Sequence, residues 1–217
     1  MKSVRIVGFY VLIVGLLITS TISFQSCKPD DDEHTPVKKP NVYIYPQEKT
    51  TMSVKLDFPE GGEIIESIPD YGKGWNITVD TNGLIDNSYS YLFYESIQPD
   101  IWQQQEGWII RKKELKDFFT NNLSDYGFFG PEIQDFTDYW IPRLSNSEFY
   151  AIYPQNKMTI EKVINLNFSK EPDNLLRLFY VIQEVTDIQN SKLIEPRINK
   201  LFEREGFFVV EWGVILK

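Results

Sequence analysis

Glu211 interrupts the apolar run Phe207-Phe-Val-Val and stands beside Trp212. A carboxylate held near apolar groups has its pKa raised and can serve as a general acid, so Glu211 is the first acid to test for catalysis. Alternation along a strand puts Val209 and Glu211 on one face and Val210 and Trp212 on the other, which equally suits a solvated glutamate at a sheet edge. With Glu95, Glu171 or Asp173 as partner, Glu211 would form a carboxylate pair for glycoside hydrolysis, where a separation of roughly 5 to 9.5 Å decides the stereochemistry. A hydrolase acting on envelope or external glycans is therefore the catalytic reading of the chain.

Other chemistries are excluded by subtraction. His34 is the sole histidine and falls in a polar, proline-rich stretch ahead of the first strand-like run, so the folded part is expected to hold no imidazole. That removes Ser-His-Asp and Cys-His hydrolysis as ordinarily built and zinc sites that need His or Cys. No G-x-x-x-x-G-K-[ST] or G-x-G-x-x-G occurs, so nucleotide-binding loops of those kinds are absent. No cofactor and no metal is called for. The segment Asp80-Thr-Asn-Gly-Leu-Ile-Asp86 echoes a calcium loop but lacks its closing Glu, and Asn82-Gly83 between strand-like runs reads as a hairpin turn.

Two further groups could recognise a ligand. Sugars present apolar faces that suit flat aromatic rings. Of the five tryptophans, Trp75, Trp102, Trp108, Trp140 and Trp212, only Trp102 has loop-like neighbours, Gln98, Pro99, Asp100 and Gln103 to Gln105. Trp102 with Tyr94 is the expected contact patch. Arg177, inside the apolar Leu175-Leu-Arg-Leu-Phe179, calls for a carboxylate partner in two-point geometry, and Asp173 is its nearest acid in sequence.

The elements that would position these residues begin after an export signal. Met1 to Arg5 carries Lys2 and Arg5, and Ile6 to Ile18 is uncharged and apolar, as in a signal peptide. The lone Cys27 at the end of this run resembles the lipidation site of bacterial lipoproteins, with residues 1–26 removed and Phe24, Gln25 and Ser26 preceding the cysteine. An uncleaved membrane anchor is the alternative. Lys28-Pro-Asp-Asp-Asp-Glu33 resembles the acidic tag that sends some lipoproteins to the outer face of the outer membrane. The expected partner is thus the membrane, through a lipid anchor, with residues 27–40 as an extended leash.

Removing residues 1–26 takes Lys2 and Arg5 from the 22 basic residues and none of the 31 acidic ones, leaving a net charge of -11. Nucleic-acid binding needs clustered Lys and Arg, so nucleic acid is excluded as a partner. The remaining length, about 175 residues, suffices for a substantial core. With no second cysteine, that core must rest on burial, and 15% aromatic residues supply it.

Strand-like composition marks Val42 to Tyr45, Ser53 to Phe58, Trp75 to Val79, Tyr89 to Glu95 and Gly107 to Ile110, a β-rich lobe over residues 41–111. Leu115, Phe118, Phe119 and Leu123 fall on one helical face and Phe136, Tyr139, Trp140 and Leu144 on another, a helical pair within residues 112–146. Phe149 to Tyr153, Val163 to Phe168, Leu175 to Val185 and Gly206 to Ile215 return to strand, a second lobe over 147–217 packed with the first. The expected class is α+β, mostly antiparallel. Ile44-Tyr-Pro-Gln-Glu-Lys-Thr-Thr51 matches Ile152-Tyr-Pro-Gln-Asn-Lys-Met-Thr159 at six of eight positions, so an internal duplication of a β unit is also expected.

Three stretches, Lys39-Pro-Asn-Val-Tyr-Ile-Tyr-Pro46, Pro172-Asp-Asn-Leu-Leu-Arg-Leu-Phe179 and Phe202-Glu-Arg-Glu-Gly-Phe-Phe-Val-Val-Glu-Trp-Gly213, resemble a family of uncharacterised bacterial proteins. The resemblance implies no activity, ligand or catalytic residue. Sequence alone therefore leads to a cell-envelope lipoprotein at the outer membrane, exposed on its surface, that binds a glycan or an envelope protein or assists assembly, with the carboxylate hydrolase as the alternative.

Overall fold

A computed structural model describes residues 34–186, 193–198 and 202–217. The chain divides into Met1–Asp31 and Asp32–Lys217; the signal, Cys27 and the acidic tag lie outside the described residues. Among the described residues ten strands form: β1 (His34–Tyr45), β2 (Thr50–Asp57), β3 (Glu63–Ile68), β4 (Trp75–Val79), β5 (Leu92–Pro99), β6 (Trp108–Arg111), β7 (Phe149–Asn156), β8 (Asn165–Phe168), β9 (Asn174–Val185) and β10 (Phe208–Leu216). Between β6 and β7 lie the helices α1 (Leu115–Tyr126) and α2 (Pro131–Trp140), and the short α3 (Lys157–Ile160) follows β7.

The strands make a seven-stranded sheet in the order β3-β5-β1-β10-β9-β7-β6 and a three-stranded sheet in the order β4-β2-β8. All pairings in them are antiparallel except β10 with β9. Alternation then builds two cores. On one face of the large sheet, Val42, Ile44, Tyr94, Phe179 and Val209 meet Val54, Trp75, Ile77 and Leu166 of the small sheet. On the other, Tyr43, Tyr150, Tyr180, Val210 and Trp212 meet Leu115, Phe119 and Leu123 of α1 and Phe136 and Trp140 of α2. The chain is thus mostly β with a few helices, in three layers.

The helices follow from local chemistry. Leu115, Phe119 and Leu123 recur every four residues and share one buried stripe. Gly127 ends α1 in the left-handed region at φ 112°, where its N–H reaches the Leu123 and Ser124 carbonyls. Pro131 opens α2, where a missing N–H costs nothing.

Two expectations are corrected. Residues 34–40 are not leash: Thr35 and Val37 point inward while His34 and Pro36 point outward, and the segment pairs with β5. The two β lobes are not separate, because the large sheet runs from β3, β5 and β1 of the first directly into β10, β9 and β7 of the second and places β6 of the first at the far edge beside β7. The echoed Tyr-Pro steps share the large sheet, with Tyr45 packed on the helix side and Tyr153 on the small-sheet side. Strand β3 escapes the composition because Glu63-Ile-Ile-Glu-Ser-Ile68 is a half-exposed edge.

Burial of phenols gives the fold an alkaline limit. Burial holds the Tyr43, Tyr94 and Tyr180 hydroxyls well above their ordinary range and pushes Tyr126 up to about 12. A raised folded pKa leaves stability intact below the unfolded value of about 10 and removes it as pH rises beyond, by about 1.4 kcal/mol per pH unit per tyrosine. The protein is expected to unfold cooperatively above about pH 10, with tyrosinate absorbance and loss of near-UV circular dichroism rising together. Ionisation of these tyrosines with the aromatic dichroism intact would contradict it.

Candidate functional site

The three stretches on which the family resemblance rests fold into adjacent elements: β1, β10 and β9 are neighbours at the centre of the large sheet. Register then explains their residue types. Glu211 lies directly opposite Arg177 across the parallel β10–β9 pair. Arg177 Nε donates to Glu211 Oε2 at 2.5 Å, and both side chains have no solvent exposure. Tyr94 donates its hydroxyl to Glu211 Oε1 at 2.7 Å, and Arg177 Nη1 donates to the Ile164 carbonyl at 2.6 Å. Burial disfavours the Arg177 charge, but Glu211 and Tyr94 outweigh that and hold its pKa above the ordinary value.

Gly213 leaves room for a ring: a Cβ there would lie 2.9 Å from the Phe179 side chain. Gly206, at φ 67°, leads into Phe207, whose N–H donates to Asp173 Oδ2 at 2.8 Å. Asp173 therefore caps a turn, and Arg177 takes Glu211 as its partner instead.

This geometry dismantles the expected pair for glycoside hydrolysis. Glu211 is neither solvated nor at an edge; it faces the small sheet and is consumed by Arg177 and Tyr94. Glu95, one residue beyond Tyr94, points to the opposite face of the large sheet. Glu171 is exposed. Tyr94 and Trp102 are buried at 0% and 5% exposure, so they present no contact patch; Trp102 packs beside Phe179 with its ring 6.2 Å away. Asp80 pairs with Lys49 at 3.1 Å, and Gly83 at φ 85° closes the turn on the Asp80 carbonyl.

Glu95 leads to a different site. Strand β1 is interrupted between Val37 and Asn41 against β5, and between Lys38 and Asn41 against β10. At this bulge Lys39 has φ 56°, a conformation rare for a residue with a Cβ and one that costs on the order of 1 kcal/mol or more. Its backbone N–H donates to Glu95 Oε1 at 3.3 Å, and Lys38 Nζ lies 3.7 Å from Glu95 Oε2. Bulges re-aim side chains. Here Lys39 Nζ is delivered among three rings, 4.3 Å from the Phe93 centroid, 4.8 Å from Tyr91 and 5.5 Å from Tyr139.

Around this amine lies a cleft of about 430 Å³, lined by Lys39, Glu66, Ser90, Tyr91, Phe93, Glu95 and Tyr139 among others. Lys39 Nζ also donates to Asn41 Oδ1 at 3.2 Å and to the Tyr91 hydroxyl at 3.4 Å. Burial lowers the Lys39 pKa despite the opposing pull of Asp135, Glu95 and Glu66. Glu66 is the cross-strand partner of Glu95; like charges directly opposite oppose pairing, and the lysines relieve this at Glu95. Rings, hydroxyls, two carboxylates and an amine thus border one opening.

Of the sequence candidates among the described residues only Glu95 reaches this cleft. Lys39 is hidden in the sequence because Lys-Pro before a strand looks like linker, and Glu66 because its edge strand lacks an apolar signature. Comparison of the chain with protein-family models, with curated proteins and with solved structures finds no match in any of the three.

Proposed function

We propose that this is a lipid-anchored cell-envelope protein that binds, without turning over, a small carbohydrate-like ligand in the Lys39 cleft. The bulge at Lys38–Pro40 carries the reading: a central strand departs from its ladder and places a non-glycine residue in the left-handed region, which aims one amine into an aromatic-walled opening. Strain of this kind is retained where the surroundings over-determine it, and such places cluster at ligand sites. Phe93, Tyr91 and Tyr139 offer faces for the apolar side of a sugar ring. Lys39, Glu66, Glu95 and Ser90 offer donors and acceptors for its hydroxyls. Cys27 would hold the protein at the outer membrane, where such ligands are met.

The alternative, a carboxylate-dependent hydrolase, is now favoured only by Glu66 facing Glu95 across β3 and β5. One experiment separates them. Thermal unfolding of the full chain against a panel of envelope and dietary glycans should show a raised Tm with a ligand, about 2.7 kcal/mol of stabilisation at a hundredfold excess over Kd. Tyr139→Ala should abolish the rise, since this half-buried ring borders the cleft. A flat panel, or a shift that Tyr139→Ala leaves intact, overturns the glycan reading and turns the search to envelope proteins. Release of new reducing ends by the wild type but not by Glu66→Gln would establish the hydrolase instead.

A further inference from the structure

The amine of Lys39 is better built for chemistry than a simple hydrogen-bond donor requires. It sits at the end of a side chain held by three rings, it lines a cleft wide enough for a small molecule, and it hydrogen-bonds to Asn41 and Tyr91. We propose that Lys39 captures small carbonyl compounds, an aldehyde or the open-chain form of a reducing sugar, as a reversible imine in this cleft. This deepens the binding reading and rests on it only for the cleft being the ligand's seat.

In the capture step the Lys39 nitrogen attacks the carbonyl carbon. The carbonyl oxygen gains a proton to give a carbinolamine, whose hydroxyl leaves as water while the nitrogen loses its remaining hydrogen and the C=N bond forms. Both hydrogens of the neutral amine and the carbonyl oxygen depart as one water, with no oxidant or reductant. The step needs an unprotonated amine, and lysines that act this way have their charge disfavoured by burial. The charged and titratable groups facing Lys39 act in both directions: Asp135, Glu95 and Glu66 favour the ammonium, whereas burial, first in size, and Arg143 oppose it, and opposition wins. The Tyr91 hydroxyl, 3.4 Å from Nζ, is a group able to pass a proton to the carbinolamine oxygen. Removing water from a forming imine also suits a site walled by Phe93 and Tyr139.

The test uses the full chain with DL-glyceraldehyde and cyanoborohydride at pH 7, which reduces each imine to a stable amine that peptide mass spectrometry locates. Lys39 is expected to carry severalfold more adduct than Lys113, an exposed lysine, because burial lowers the Lys39 pKa and favours its free amine. Lys39→Arg, which keeps the charge, should leave only the background adduct of the surface lysines. Adduct on Lys39 no greater than on Lys113 overturns the proposal. If Lys39 proves unreactive while a methyl glycoside, which has no free carbonyl, still raises the Tm in a Tyr139-dependent way, imine capture falls and the binding cleft stands.

Discussion

Glu211→Ala is expected to destabilise the protein by about 3–5 kcal/mol, because removing one partner of a buried ion pair leaves the other charge uncompensated. For a folded part of this size that is a fall in Tm of roughly 6 to 20 °C. The residue lost is at the meeting point of three strands: β10 carries the carboxylate, β9 the guanidinium and β5 the Tyr94 phenol. With Glu211 gone, Arg177 keeps only the Ile164 carbonyl, and Tyr94 loses its acceptor in a site without water access. The triple variant Tyr94→Phe, Arg177→Met, Glu211→Leu removes the three polar side chains together, leaving only the Ile164 carbonyl without its donor, and apolar replacement of a buried pair is often neutral. It should recover most of the loss. Urea unfolding of both proteins decides the matter: a Glu211→Ala variant no less stable than the triple would mean that the pair holds nothing that packing does not.

The same pair shows what a sequence can and cannot reveal. That Arg177 needs a carboxylate is legible, since the charge of a guanidinium amid Leu175, Leu176 and Leu178 calls for a paired opposite charge. Which carboxylate is not, because Glu211 reaches it through the parallel register of β10 and β9, and strand order is a property of the whole sheet. Period two correctly assigns Glu211 and Trp212 to opposite faces, and period 3.6 assigns the stripe Leu115, Phe119 and Leu123. Neither period tells a central strand from an edge, so alternation alone leaves Glu211 free to lie in solvent. Trp102 fails for a related reason: its glutamine and proline neighbours do describe a loop, but only the packed structure brings Phe179 against it. Lys39 is the least legible. Its role comes from a left-handed backbone angle at a bulge, which no residue type there announces, whereas a glycine would have.

Glu132→Gln is expected to cost about 2–4 kcal/mol, although the substitution keeps size and shape, because it weakens several charge-assisted hydrogen bonds at once. Glu132 sits in the first turn of α2, is 1% exposed, and gathers donors from separate parts of the chain. Arg204 Nη1 and Nη2 reach its two oxygens at 3.1 and 2.5 Å, the Tyr45 hydroxyl donates to Oε1 at 2.9 Å, and the Phe129 N–H donates to Oε2 at 2.8 Å. A carboxylate accepts at both oxygens; a carboxamide accepts at one and turns an NH₂ toward donors at the other. Whichever way the introduced carboxamide is turned, its NH₂ faces Arg204 together with either Phe129 or Tyr45, and two-point geometry is lost. Arg204 retains the Gly127 carbonyl, 3.0 and 2.9 Å from Nε and Nη2, and is itself 29% exposed, so water softens the cost relative to Glu211. The Trp212 indole donates to the Glu132 backbone carbonyl at 2.9 Å, a bond the variant keeps, which confines the change to the carboxylate. Because the Arg204 side chain ties residues 202–205 to the helical layer through this cluster and Gly127, amide exchange at Phe129 should accelerate with the global loss. Unchanged stability and unchanged exchange at Phe129 would show that the Gly127 carbonyl alone anchors the segment.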